Sequence, residues 1–136
     1  MMGSDDPKGF ATGAVAAIAI LIGGAVHLKL YDDAYRDVPN YMLGRSFLAN
    51  VAASGLVVVL LMQWTAKWRF ATGLALAAGT LGAFVRSRIG HGIFGFSEHG
   101  LQPSPEALIA LVAELVAVAA CLYGLARRTW DEQKTR

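Results

Sequence analysis

The sequence predicts an all-α fold, an integral membrane bundle of four antiparallel helices. Of the 136 residues, 55% are hydrophobic and only 16% are charged, whereas soluble domains carry about 25% charged residues. The mean hydropathy is positive, at +0.46. Long apolar segments separated by short polar stretches fill most of the chain, and about 20 apolar residues suffice for one membrane crossing.

The apolar segments form a single domain, residues 1–136, with predicted spans at about residues 10–30, 45–63, 70–86 and 105–126. The first segment is almost unbroken Ala, Val, Ile, Leu and Gly up to His27. Its length favours a membrane span over the alternative, a cleaved signal peptide. Ser104 and Pro105 mark the start of the fourth helix, because Ser is a common cap and Pro fits a first turn that needs no backbone donor.

Three connections join the predicted spans. The segment Tyr31–Gly44 is rich in acidic and basic residues and is predicted to be a polar loop. Trp64–Arg69 is predicted to be a short turn whose tryptophans anchor at the membrane interface. Ser87–Pro103 is the longest connection and is apolar at its centre. Its part Ile89–Gly100 either dips into the interface, where its aromatic residues anchor, or covers the mouth of the bundle as a lid.

Four spans place both chain termini on the same side of the membrane. That side holds slightly more Lys and Arg than the opposite side, and these residues are enriched in cytoplasmic segments. We therefore expect both termini in the cytoplasm. The net charge of +2 and the absence of a basic run interleaved with aromatic residues argue against nucleic acid as a partner. The expected partners are the lipid bilayer and either another membrane protein or further copies of this chain.

Glu114 lies near the middle of the fourth span, where an ionisable side chain costs on the order of 3 kcal/mol and rarely faces lipid. Residues three and four positions apart share a helix face, and small residues on such a face let membrane helices approach closely. Glu114 is therefore predicted to point into the bundle. Either it is a protonated acid hydrogen-bonded to a neighbouring helix, or it is a functional group. Its face also carries Ala107, Ala110, Ala117, Cys121 and Gly124.

Other polar residues fall at a similar depth, in the non-cytoplasmic half of the bundle. Asn50 and Thr80 lie about 8–10 Å below the helix ends, at 1.5 Å per residue. We predict one pocket that opens to the outside. Each residue also has a structural interpretation, such as an interhelical hydrogen bond or an arginine reaching for lipid headgroups. The predicted ligand-binding residues are Glu114, His27, Asn50, Thr80, Arg45, Arg86 and Glu98.

Metal, haem and enzymatic functions receive little support. His27, His91, His99 and Glu98 are ligand types for a divalent ion, but their spacing matches no recognised motif, so no metal is predicted. Only His27 lies within a span, whereas a bis-histidine haem needs two such residues. No Ser–His–acid arrangement, phosphate-binding glycine loop or cysteine pair is present. We predict no catalytic residue and a non-enzymatic role, and the sequence identifies no cofactor.

Three short motifs resemble those of the DoxX-like family of small four-span bacterial membrane proteins. They are the Gly-Gly-Ala-Val-His run at residues 23–27, the Leu43–Gly44–Arg45 sequence with Phe47 and Asn50, and an acid in the fourth span, Glu114. The resemblance implies a location in the bacterial inner (plasma) membrane. Some members of the family are associated with membrane-bound redox or thiosulfate-oxidising systems, so it also implies a redox-associated role. It carries over no catalytic residue.

These observations favour one function and leave two others open. The favoured function is a membrane component that binds a small hydrophobic ligand or lipid in the pocket, or serves as an accessory subunit of a membrane complex. The first alternative is a redox-associated subunit that handles a quinone-like molecule through His27, Arg45 and Glu114. The second is a small transporter that uses Glu114 as a proton-linked site.

Overall fold

The computed structural model describes residues 6–63 and 68–134, with only the backbone for residues 128–132. Within these ranges the chain is helical, with no strand beyond a single bridge between Ile93 and Phe96. The predicted all-α fold with four long helices is confirmed. The helices are α1 (Pro7–Leu30), α2 (Tyr41–Met62), α3 (Arg69–Arg86) and α4 (Glu106–Lys134).

The first two helices extend into the segment Tyr31–Gly44, which was predicted to be a loop. α1 continues into a π-helical segment, Tyr31–Tyr35. α2 begins at Tyr41, because Asn40 caps it by accepting a hydrogen bond from the backbone nitrogen two residues later. A polar side chain at the cap satisfies a backbone donor that the first turn leaves free. The loop prediction is therefore wrong for most of this segment.

The fourth helix starts and ends differently from the prediction. The predicted cap at Ser104 is wrong, since its side chain makes no hydrogen bond within the described ranges. The carbonyl of Pro103 instead accepts from the backbone nitrogen of Ala107 at 2.8 Å. α4 then runs to Lys134, past the predicted end near residue 126.

The helices pack as an antiparallel ring in chain order. Residue numbers run in opposite directions along α1 and α2, where Gly13 lies against Leu61 and Gly24 lies against Ser54. Gly73 of α3 contacts both α2 and α4. α4 also packs along α1, which closes the ring. We call the end that holds the first residues of α1 the termini end, and the opposite end the cavity end.

Buried apolar side chains form one cluster at each end. Small side chains dominate the contacts of α1 with α2 and α4, so these helices approach closely. The cluster toward the termini end includes Ala16, Ile20, Leu61, Phe70, Ala117 and Cys121. The cluster at the cavity end consists of Val26, Leu30, Tyr35, Leu43 and Ala110, with Phe47 and Phe96 packed against it.

At the termini end, Arg69 joins three helices from a buried position, with 3% of its surface exposed. Its guanidinium donates to the carbonyl of Leu61 at 3.0 Å and to that of Gly9 at 3.1 Å. The last carbonyls of a helix lack intrahelical partners, so Leu61 at the end of α2 offers a free acceptor. The prediction that Arg69 belongs to an interfacial turn is wrong. The neighbouring Trp64–Lys67 lies outside the described residues.

Three of the described helices are long and apolar enough to cross a membrane: Pro7–Tyr35, Tyr41–Met62 and Glu106–Arg127. α3 does not meet this criterion. It has 18 residues, which span about 27 Å at 1.5 Å per residue, and Arg69 and Arg86 occupy its two ends. Its apolar stretch is therefore shorter than the hydrocarbon core of about 30 Å.

Candidate functional site

A partly enclosed cavity of about 170 Å³ lies at the cavity end of the bundle. All four helices line it, together with the connection between α3 and α4, residues 87–105. Most of its wall is apolar. A cavity of about 150 Å³ can hold a benzene molecule, so this one has room for a single six-membered ring with a small substituent.

Five of the seven predicted ligand-binding residues line this cavity: His27, Asn50, Thr80, Glu98 and Glu114. One comes from each helix, and Glu98 comes from the α3–α4 connection. The predicted depths and helix faces therefore bring these side chains to one place.

Arg45 and Arg86 do not line the cavity, although both were expected to join the pocket. Arg45 lies over the ring of Tyr41, with its guanidinium carbon 5.8 Å from the ring centroid. Arg86 donates to the carbonyl of Ile89 at 2.8 Å. Each arginine finds a partner close to its own helix end, because its long side chain reaches a nearby acceptor or ring without crossing the bundle.

Glu114 is the most deeply buried acid of the site, with 5% of its surface exposed. Its Oε2 atom is buried and has no hydrogen-bond partner among the described residues. The carboxyl packs against Gly23 of α1, where an added Cβ would lie 2.7 Å from Oε1. A buried carboxylate without a partner is costly. The protonated acid avoids that cost, and it can donate a hydrogen bond.

His27 lies one helical turn beyond Gly23. Its Nδ1 is 2.8 Å from the carbonyl oxygen of Gly23. A carbonyl can only accept, so Nδ1 carries the proton, and Nε2 of the neutral ring is an acceptor. Nε2 has no hydrogen-bond partner in the part of the chain that the structure describes. Gly23 therefore adjoins both side chains: its carbonyl meets Nδ1 of His27, and its Cα faces Oε1 of Glu114.

Asn50 and Thr80 form a bridge between α2 and α3 at the cavity wall. The amide nitrogen of Asn50 donates to the hydroxyl of Thr80 at 2.8 Å, and that hydroxyl donates to the carbonyl of Leu76 at 2.9 Å. The amide oxygen of Asn50 accepts from Ser54 at 3.3 Å. These groups have partners within the protein, which fits the structural interpretation. Their role in binding a ligand stays a prediction.

The α3–α4 connection covers the cavity end and is tied to the helices by polar contacts. The hydroxyl of Tyr35 donates to Glu98, whose backbone nitrogen donates to the carbonyl of Ser87 at 2.8 Å. The side chain of Asn40 donates to the carbonyl of Phe94. The connection therefore forms one wall of the cavity, in agreement with the interpretation as a lid.

Comparison with protein-family models, with curated proteins and with solved structures finds no match for this chain. The resemblance to the DoxX-like family stays a prediction. Among the described residues, no group of three or more His, Cys, Asp or Glu side chains could hold a metal ion. The properties of the site therefore have to be inferred from its own residues.

Tyr35 and Arg88 are among the cavity-lining residues that were not predicted from the sequence. Tyr35 is 5% exposed, and its ring stacks on Phe47 with the centroids 4.5 Å apart. Extending the first helix beyond residue 30 would have placed Tyr35 about two turns above His27. Arg88 packs on the ring of Phe84, with its guanidinium carbon 3.6 Å from the centroid. It also donates to backbone carbonyls of the connection, which no sequence pattern indicates.

Proposed function

We propose that this chain is a non-enzymatic integral membrane protein that binds a small, mostly apolar molecule with one polar end. The observation that carries the proposal is the acid of Glu114, which lines an apolar cavity and whose buried Oε2 atom has no hydrogen-bond partner among the described residues. Leaving such an atom unsatisfied costs about 1–3 kcal/mol. A ligand that hydrogen-bonds to the carboxyl of Glu114 gives this acid a partner, and the apolar part of the ligand fills the cavity.

The outer surface of the bundle supports a membrane location. Large apolar side chains are exposed on the outward faces of the helices, among them Ile18, Leu56 and Leu115. Soluble monomers rarely expose apolar patches of this extent. We propose that the bundle spans the bacterial inner membrane, with the termini end in the cytoplasm and the cavity on the outer side. In this arrangement α3 is short, and the arginines at its two ends reach the headgroup regions.

The interior favours binding over transport. A proton-linked transporter needs a polar path from the cavity to the termini end. That part of the described bundle is filled by fully buried apolar side chains, among them Ile20, Leu61 and Phe70. A quinone-like ring fits the cavity by size and remains a second candidate for its occupant. Service as an accessory subunit is compatible with either ligand.

The proposal is tested by identifying the molecule that copurifies with the protein in mild detergent, by mass spectrometry and absorbance. Ala110 lines the cavity, so Ala110→Leu should fill it and remove the molecule. The matched control is Ala119→Leu, the same change at an exposed position of α4, which should retain it. Equal amounts of bound molecule in both variants would contradict the proposed site.

A further inference from the structure

We infer that the cavity selects a neutral molecule with one aromatic ring and a hydroxyl group, that is, a ligand of the phenol class. The inference rests on the proposed function and specifies its ligand. Two independent features of the described residues support it: the aromatic wall of the cavity, and the hydrogen-bonding capacity that remains unused at its polar end.

Aromatic side chains surround the apolar part of the cavity. Phe47 lies between His27 and Tyr35, at centroid distances of 5.2 Å and 4.5 Å. Phe96 meets Tyr35 edge-on at 5.6 Å. Aromatic rings pack favourably when their centroids are about 4.5–7 Å apart. A flat ring fits a wall of this kind, and the volume of about 170 Å³ limits the ligand to about one ring.

The polar end offers one donor and one acceptor. Glu114 lines the cavity and has an oxygen without a partner among the described residues, and as a protonated acid it can donate a hydrogen bond. His27 presents Nε2 as an acceptor, because the carbonyl of Gly23 fixes its proton on Nδ1. By contrast, Asn50 and Thr80 are already bonded to each other. A ligand that meets Glu114 and His27 therefore finds both a donor and an acceptor.

A hydroxyl group matches both residues at once. It donates to Nε2 of His27 and accepts from the acid of Glu114, two residues that both adjoin Gly23 and line the cavity. An ether or a ketone only accepts, so it leaves Nε2 without a donor. An ammonium group only donates, so it cannot accept the hydrogen bond that the protonated acid of Glu114 offers.

Four probes of similar size separate these possibilities: phenol, anisole, benzene and benzylamine. Their dissociation constants follow from the concentration dependence of the unfolding midpoint in detergent, with Ala110→Leu as the measure of non-specific binding. We expect phenol to bind at least about tenfold more tightly than anisole or benzene, which is the effect of about one satisfied hydrogen bond. His27→Phe should abolish this preference, whereas the same change at exposed His91 should preserve it.

The outcomes distinguish failure of this inference from failure of the proposed function. If phenol and anisole bind with equal affinity and Ala110→Leu removes both, the proposed role of the hydroxyl group is wrong. The ligand site itself would then still be supported. If benzylamine binds most tightly of the four probes, the cavity selects a cation, and the inference of a neutral ligand is wrong. A molecule that copurifies from cells when no probe binds would overturn the one-ring class. If no molecule copurifies and no probe binds, the proposed function itself fails.

Discussion

Replacing Gly23 by Ala tests the close contact between α1 and the carboxyl of Glu114. The added Cβ would lie 2.7 Å from Oε1 and 3.5 Å from Cδ of Glu114, so the carboxyl must move. Overpacking of this kind costs about 1–3 kcal/mol. Gly→Ala within a helix gains about 1 kcal/mol. The expected net change is a loss of about 0–2 kcal/mol in the free energy of unfolding, together with loss of the bound molecule.

The matched control is Gly79→Ala, because nothing lies within 4 Å of a Cβ at that position. This variant should show only the gain in helix propensity, up to about 1 kcal/mol. Both variants are measured by reversible unfolding in detergent, alone and combined with Glu114→Ala. Truncating Glu114 should relieve the clash at Gly23, giving a coupling of about 1–2 kcal/mol between the two positions. Equal stability of the two alanine variants, with no coupling to Glu114→Ala, would refute the contact.

Three further predictions follow from the described contacts. Glu114→Leu should leave the unfolding free energy of the empty protein unchanged or raise it by about 1–2 kcal/mol, since it strands no partner among the described residues. It should nevertheless abolish the binding that Glu114→Gln retains in the copurification assay. A double-mutant cycle on Asn50 and Thr80 in detergent unfolding should give a coupling of about 0.5–1.5 kcal/mol; a coupling near zero would contradict their bridge. Reporter fusions should report a cytoplasmic location at two sites and an external location at two others. Opposite results at all four sites would show that the bundle has the reverse orientation in the membrane. The cytoplasmic sites follow Trp68 and Arg128, and the external sites are near Asp33 and Ser97.

The sequence predicted the helices well because long apolar segments bounded by polar residues have few other structures. It predicted their ends less well. The acidic residues at positions 32 and 33 indicated a loop, but the helical conformation continues through them to Tyr35. The caps were also misjudged, with Asn40 capping α2 and Ser104 capping nothing in the described ranges. Local polar residues determine helix ends, and their pairing depends on the tertiary fold.

The location of the cavity-lining residues was partly predictable. Helical periodicity and depth fix the face and the level of a side chain, and this was sufficient for His27, Asn50 and Glu114. The same reasoning fails for Arg86, whose long side chain donates a hydrogen bond to the nearby carbonyl of Ile89 instead of reaching the cavity. It also fails for Arg88, whose position depends on the path of the α3–α4 connection, which periodicity does not describe.

The sequence left two interpretations of Glu114, and the structure bears on the choice between them. A purely structural acid needs a hydrogen-bond partner on a neighbouring helix, and the described residues provide none for Oε2. Gly23 makes room for the carboxyl on α1, and His27 presents an acceptor to the same cavity. A bundle selected only for stability would gain by placing an apolar side chain at this position. The cost of keeping an unpartnered acid beside an apolar cavity therefore favours a ligand that completes its hydrogen bonds.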